Sequence, residues 1–310
     1  MKPHDWVPFW RPVFSNDEMA RVDTDLPDGF REKLTTLQDR YLHLVRERVI
    51  QGNISEIGPD TPLFRTMSCK NFHRMVHSGK MHLTNPLVWA TMGDTWEISI
   101  IEGGVYLLPK NANDSPINVT KEIKESLKKW YGQSWSLTNE CDAIWTRYAQ
   151  NGGRAVCIST TARKLLLALF RNEQFYRTTF LEKVHYLSDP EILREKTNLK
   201  APFELENSVR RLLMLKRKSF EYENEVRLLY WDKEGTNTQY AGEYLEYPLD
   251  GTIPLSDYVD EVILDPNCPE ECAESERAFL HEHGLHISVT ISSLRKPPEI
   301  AFIVYVDNRC

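Results

Sequence analysis

Apolar and polar residues recur along this chain with two periods, and the switches between them mark out its elements. The sharpest switch falls at Lys218 to Tyr230, KSFEYENEVRLLY. Ahead of it, SVRRLLMLKRK repeats apolar residues at helical spacing and predicts a helix over residues 203 to 218. Within it, alternation predicts a strand with Glu223, Glu225 and Arg227 on one face and Asn224, Val226 and Leu228 on the other. Val, Leu and Tyr suit the half-buried pleated surface such a strand needs.

The same two periods predict the rest. A helix runs over residues 30 to 50, and LFRTMS (Leu63 to Ser68) is a short strand. CKNFHRMVHSGK is a helix closed by Gly79, and KMHLTNP is a strand ending in a turn. A strand-like run covers Trp96 to Leu108. NVTKEIKESLKKWYG is a helix with Thr120 as its cap, followed by the strand GQSWSLT and the helix NECDAIWTRYAQNGG. RAVCIST is a strand, TARKLLLALFRN a helix, LEKVHYL a strand and LSDPEI a turn. EYLEYP and VDEVILD are strands, PEECAESERAFLHEHG is a helix, and HISVTIS and IAFIVYV are strands. Helices and short strands interleave irregularly, which favours an α+β fold over a doubly wound sheet. Residues 1 to 58 read as a helical arm that packs Trp6, Phe9, Trp10 and Phe14 onto a body formed by residues 59 to 310.

Composition narrows the function classes. Hydrophobic residues at 41% and charged residues at 27% are ordinary for a soluble globular protein. A net charge of −7 argues against broad coating of nucleic acid and leaves room for a local basic cleft. No apolar run approaches the roughly 20 residues of a membrane span, and the first residues lack the smooth apolar stretch of a signal peptide. Six scattered cysteines suit reduced thiols, so a cytoplasmic protein is expected. GxGxxG, GxxxxGK[ST] and GxSxG are all absent, which removes the usual phosphate-loop, dinucleotide-fold and serine-hydrolase readings.

Several residues carry chemistry beyond packing. Glu223 and Glu225 form a Glu-x-Glu pair at a strand opening, where burial costs free energy unless the charges are paired. They read either as a structural ion network, Glu225 pairing with Arg227 or Arg217, or as a pair that works on a substrate. Arg65 interrupts an apolar strand and needs an acceptor: Asp94, Glu97 or the later glutamates, or else the diphosphate or ribose of a ligand. Ser134 and Ser136 share a strand face opposite Trp135, where hydroxyls can line a cleft. Trp145 and Tyr148 share a helix face and read first as a packed aromatic pair. Cys268, Cys272, His281 and His283 invite a zinc reading, but a helix between the pairs would separate them. His73 and His77 share a helix face without the glutamate of a metalloprotease motif, and no metal is expected.

Taken in order, LFRTMS, the strand ending TNP, GDTWE, SWSL, AIWTRYAQNGGRAVCIS, VHYL, KRKSFEYENEVRLLY and VDEVILDP resemble a bacterial family known as domain of unknown function 2971. The likeness runs over about residues 60 to 295. GDTWE stands where that family has an Asn-Asp-Pro turn, SWS where it has Cys-Phe-Ser, and Ile144 where Met is common. Trp145, Tyr148, Glu223, Glu225 and Arg227 stay in register.

The order of an early arginine, a middle serine and a late Glu-x-Glu is also similar to that of ADP-ribosyltransferases. That likeness implies a twisted, mainly antiparallel split sheet with flanking helices, and NAD as substrate. It implies that Arg65 holds the diphosphate or ribose, and that Ser136, or else Ser134, orients the nicotinamide ribose. Glu225 would be the catalytic acid, stabilising the oxocarbenium-like state, and Glu223 the base that activates an acceptor. Trp145, Tyr148 and Arg227 are further cofactor-binding candidates. The acceptor would be a protein or a nucleic acid, as for a toxin or phage-defence effector. Two other readings stay open: a non-enzymatic binding module in a defence or regulatory system, and a nuclease using Asp94, Glu97, Glu223 and Glu225 as magnesium ligands.

Overall fold

The computed structural model describes residues 50, 52–92, 106–107, 115, 117–149, 154–169, 178–197, 205–238, 242–249 and 255–297. All of them belong to the compact unit Val49–Cys310. The expected arm up to residue 49, most of the run from Trp96 to Leu108, and the strand IAFIVYV lie outside the described residues.

The strands are β1 (Ile54–Ser55), β2 (Pro62–Ser68), β3 (Lys80–Thr84), β4 (Tyr106–Leu107), β5 (Ile117–Asn118), β6 (Trp130–Ser136) and β7 (Ala155–Thr161). There follow β8 (Thr179–Lys183), β9 (His185–Leu187), β10 (Leu215–Arg217), β11 (Glu225–Trp231), β12 (Tyr244–Pro248), β13 (Glu261–Leu264) and β14 (Ser288–Ile291). The main sheet runs β1-β8-β11-β6-β2-β7-β13-β14, with β3 also on β6 and β12 outside β3. Within it β1 with β8 and β13 with β14 are parallel, and every other pairing is antiparallel. The fold is α+β on a mixed, mostly antiparallel sheet, as the irregular interleaving predicts.

The sheet is split along β6. One edge of β6 pairs with β11 over its whole length, from Glu225↔Ser136 to Trp231↔Trp130. The other edge meets β2 only at Phe64↔Ser136 and β3 only at Thr84↔Gly132. The gap between those two contacts faces Gln133 to Trp135.

Each half has its own apolar core. Ile123, Leu127, Trp130, Val209, Leu212 and Leu229 bury the helices Thr120–Leu127 and Leu205–Leu213 against one half. Trp145, Ala155, Cys157 and Ile263 cluster in the other, where the helix Asp142–Tyr148 packs on the sheet.

Five points differ from the sequence reading, each for a local reason. The helix predicted over 203 to 218 ends at Leu213, because Leu215–Arg217 leaves it to pair in parallel with His185–Leu187. Lys218–Glu223 is a 3-10 helix, and Asn224 then takes a left-handed conformation (φ 43°, ψ 52°) that resets the chain before β11. Glu223 therefore arrives from the 3-10 turn and not by strand alternation. LSDPEI opens the helix Asp189–Thr197, where the Ser188 amide and hydroxyl both donate to Glu191, at 2.8 and 2.6 Å. That is the glutamate half of a capping box, the N3 carboxylate reaching back to the cap residue. Thr120 does not cap its helix: its amide donates to Asn118 Oδ1 at 3.0 Å. The strand Ile54–Ser55 also draws residues once assigned to the arm into the main sheet.

Candidate functional site

The register of β11 on β6 sets Glu225 opposite Ser136 and Arg227 opposite Ser134, so all four side chains stand on one face. Glu225 is 1% exposed. Its Oε1 accepts from Ser134 Oγ at 2.5 Å and from Arg227 Nε at 2.8 Å. Its Oε2 accepts from Lys216 Nζ at 2.9 Å and from Arg227 Nη2 at 3.0 Å. Burial pushes the Glu225 carboxyl up, but Arg227, Lys216 and the hydrogen bonds from Arg227 and Ser134 outweigh it and hold it down to about 2. An ionised carboxylate stabilises positive charge and accepts hydrogen bonds.

Glu223 comes in beside it. Its carboxylate takes Lys216 Nζ at 2.5 Å and Arg147 Nη1 at 3.1 Å. The cation that completes the acid pair is therefore Lys216, and not the Arg217 considered from sequence. Leaving the helix early for β10 is what turns Lys216 inward, where it is 7% exposed. A Glu-x-Glu with a single following arginine is short of positive charge, and the KRK run just before it was the signal available.

Above this network lies a cavity of about 190 Å3 at the split. Arg65, Ser134, Ser136, Tyr148, Glu223 and Glu225 all line it. Trp89, Phe220 and Tyr222 add aromatic wall, and Lys216 and Arg147 add positive charge; none of these five was singled out from sequence. Tyr148 is 42% exposed and Tyr222 48%, so their rings are available to a ligand.

Arg65 reaches the cavity by an unexpected route. Phe64 is the β2 residue opposite Ser136, so alternation puts Arg65 on the other face of the sheet from Ser136 and Glu225. The split gives it passage. Its Nη1 donates to the Ser134 carbonyl at 3.1 Å, and it borders both this cavity and a smaller one on the far face, beside His82 and Tyr258. Among the described residues no carboxylate pairs with it. Burial lowers its guanidinium pKa from the usual value, with Tyr148 and Tyr258 acting the other way.

Three expected ligand contacts are placed differently. Trp145 is 2% exposed and belongs to the core with Ala155 and Cys157, because its helix turns that edge down onto the sheet. Arg227 is also 2% exposed: it lies over Trp89 at 4.5 Å, donates to the Leu213 carbonyl, and holds Glu225 from below. Ser136 is tied to backbone, donating to the Glu223 carbonyl at 2.8 Å and accepting from the Thr138 amide at 3.0 Å. Ser134 is the serine that touches Glu225. Asp94 and Glu97, the other magnesium candidates, lie outside the described residues.

No curated protein matches this chain. Two solved structures are similar to it, both of Thermus sp. 2.9 DarT. The complex with NAD+ is 11% identical at a TM-score of 0.33, and the complex with carba-NAD+ is 10% identical at 0.33. Each comparison covers 76% of this chain and 96% of the other. Among the described residues no helix is long and apolar enough to cross a membrane. Residues 144–228, the stretch that holds Tyr148, Lys216, Glu223, Glu225 and Arg227, match the family described as "Protein of unknown function (DUF2971)".

Proposed function

We propose that the cavity at the split binds NAD and that the protein transfers ADP-ribose to a protein or nucleic-acid acceptor. The observation that carries this reading is Arg65: a guanidinium whose partner is a carbonyl, in the wall of the cavity that Glu225 also lines. Such a cation is suited to a diphosphate or a ribose oxygen. The aromatic wall of Tyr148, Tyr222 and Trp89 suits a flat heteroaromatic ring.

In this reading the bond between ribose C1′ and the nicotinamide nitrogen breaks, and nicotinamide leaves with the electron pair. C1′ becomes oxocarbenium-like until an acceptor oxygen or nitrogen bonds to it and gives up its proton, with Glu223 as the base. Glu225 accepts from a ribose hydroxyl and stabilises the developing positive charge, a role that needs the anion and not the acid. Lys216 and Arg227 keep it ionised and aimed.

A second reading rests on the same carboxylate. Glu225 already accepts four hydrogen bonds, as a structural ion network would require, and a binding module could use the cavity without chemistry. Nicotinamide release from NAD by the purified protein, with Glu225→Gln alongside, separates the two. Release by wild type that falls by at least about a hundredfold in the variant supports the transferase. Absence of release in the presence of candidate acceptors, together with no NAD-induced thermal shift, leaves the binding module.

A further inference from the structure

Away from the cavity, two helices face each other with side chains that packing does not explain. The helix Cys69–Ser78 begins directly after β2, and Cys69 and His73 lie one turn apart on it. The helix Glu270–Glu282 presents Glu276 to both. Cys69 Sγ stands 3.6 Å from His73 Nε2 and 3.6 Å from Glu276 Oε2. His73 Nε2 is 3.0 Å from Glu276 Oε1. One atom from each residue thus lies within 4.8 Å of the other two.

We propose that Cys69, His73 and Glu276 form a site for a zinc-class divalent ion, with water in a fourth position. Ligands at about 2.0–2.3 Å from zinc, at tetrahedral angles, lie about 3.4–3.6 Å from one another. Both edges at the sulfur already have that length, and the His73–Glu276 edge needs to open by only a few tenths of an ångström. Thiolate, imidazole and carboxylate together are a donor set for zinc and its neighbours, and not for magnesium or calcium.

The surroundings support the assignment. Glu276 is 6% exposed, and among the described residues neither lysine nor arginine pairs with it; its partners are the imidazole and the thiol. A carboxylate so buried calls for a cation. Cys69 is the first residue of a helix capped by the Ser68 side chain, which fixes where the thiol stands. The Phe279 ring lies against His73 at 4.0 Å and fixes the plane of its imidazole. His73 keeps 36% of its side chain exposed, which gives an ion its way in.

The thiol donates to Glu276 and lies equally far from His73, so a single ion would engage all three groups at once. The ligand set differs from the Cys268, Cys272, His281 and His283 considered from sequence. His281 is exposed and lies against His286, while Glu276, a residue without a motif, reaches both Cys69 and His73 across the helices.

The test is cobalt substitution in the full chain after chelation. Cobalt is expected to give a thiolate-to-metal charge-transfer band in the near ultraviolet, saturating at a single equivalent, and zinc is expected to abolish it. Cys69→Ser loses the band. Glu276→Gln, close in shape and still able to hydrogen-bond His73, keeps it but binds cobalt at least ten- to a hundredfold more weakly. Cys268→Ser and His281→Ala leave band and affinity unchanged. A missing band in wild type overturns the proposal, as does a band that survives Cys69→Ser or disappears in Cys268→Ser. If circular dichroism shows Cys69→Ser to be unfolded, Glu276→Gln and His73→Ala decide: unchanged affinity in both overturns the site.

Discussion

Glu225 meets its cations in a place where solvent hardly reaches, so the loss of one of them is severe. Arg227 holds both carboxylate oxygens and also caps the end of the helix Leu205–Leu213 through the Leu213 carbonyl. Arg227→Met is expected to lower the free energy of unfolding by about 3–5 kcal/mol, because it leaves a buried charge short of compensation. Adding Glu225→Gln should return part of that loss, and urea denaturation of the two single variants and the double variant measures it. The same carboxylate sets a pH dependence. Held down to about 2 against an ordinary 4.5, it contributes stability that is full above the ordinary value and is lost as pH falls from there towards 2. Urea midpoints at about pH 5 and about pH 3 should therefore drop further in wild type than in Glu225→Gln. Period-two alternation made Glu225 and Arg227 legible as neighbours on one face and Ser134 and Ser136 on another, but not the pairing that brings the two strands together. Lys216 was not legible, since its position depends on where a helix stops, and neither were Arg147, from the helix Asp142–Tyr148, or Phe220 and Tyr222, from the 3-10 helix Lys218–Glu223.

At the scale of elements, the turn between the 3-10 helix and β11 decides where the strand begins. Asn224 sits at φ 43° and donates to Thr138 Oγ1 at 3.3 Å. Asn224→Ala should cost about 1–2 kcal/mol in unfolding free energy while Asn224→Gly stays close to wild type, because glycine enters the left-handed region without penalty. Gly132, in the middle of β6, is constrained from outside: an added Cβ would come within 2.7 Å of Trp89 and 2.9 Å of Leu229. Gly132→Ala is expected to destabilise by about 1–3 kcal/mol and to shift Trp89, a wall of the cavity, so that its fluorescence changes along with any NAD binding. Strand and helix types came through from periodicity for the longer elements, whereas the strands Ile54–Ser55 and Ile117–Asn118 and the helices Pro86–Met92, Asp189–Thr197 and Leu255–Tyr258 did not. Elsewhere tertiary pairing overrides a local pattern. β10 pairs with β9 and cuts a helix short, while Val184 divides LEKVHYL into two strands.

For the whole molecule, the split along β6 matters more than the number of strands. It lets a side chain from one face of the sheet stand in a cavity on the other, so Arg65 joins residues that strand parity separates from it. An α+β fold was readable from the order of short strands, and the mainly antiparallel, split sheet only from the resemblance. The two single contacts at Phe64 and Thr84 were not, because nothing in either sequence segment signals where a ladder stops. If the cavity takes NAD, ligand at a hundred times its dissociation constant should stabilise the fold by about 2.7 kcal/mol. The matching rise in melting temperature should disappear in Arg65→Ala while that variant keeps its unliganded melting temperature within a few degrees.

The charge network also bears on the order of folding. Lys216 is separated from Glu223 by 7 positions and from Glu225 by 9, and Arg227 from Glu225 by 2, whereas Ser134 is 91 away. Loops that short close at little entropic cost. The acids can therefore be neutralised within a single local turn before β6 arrives, and the sheet closes over ion pairs instead of bare charges. Variants at Lys216 should accordingly slow folding, and variants at Ser134 should mainly speed unfolding.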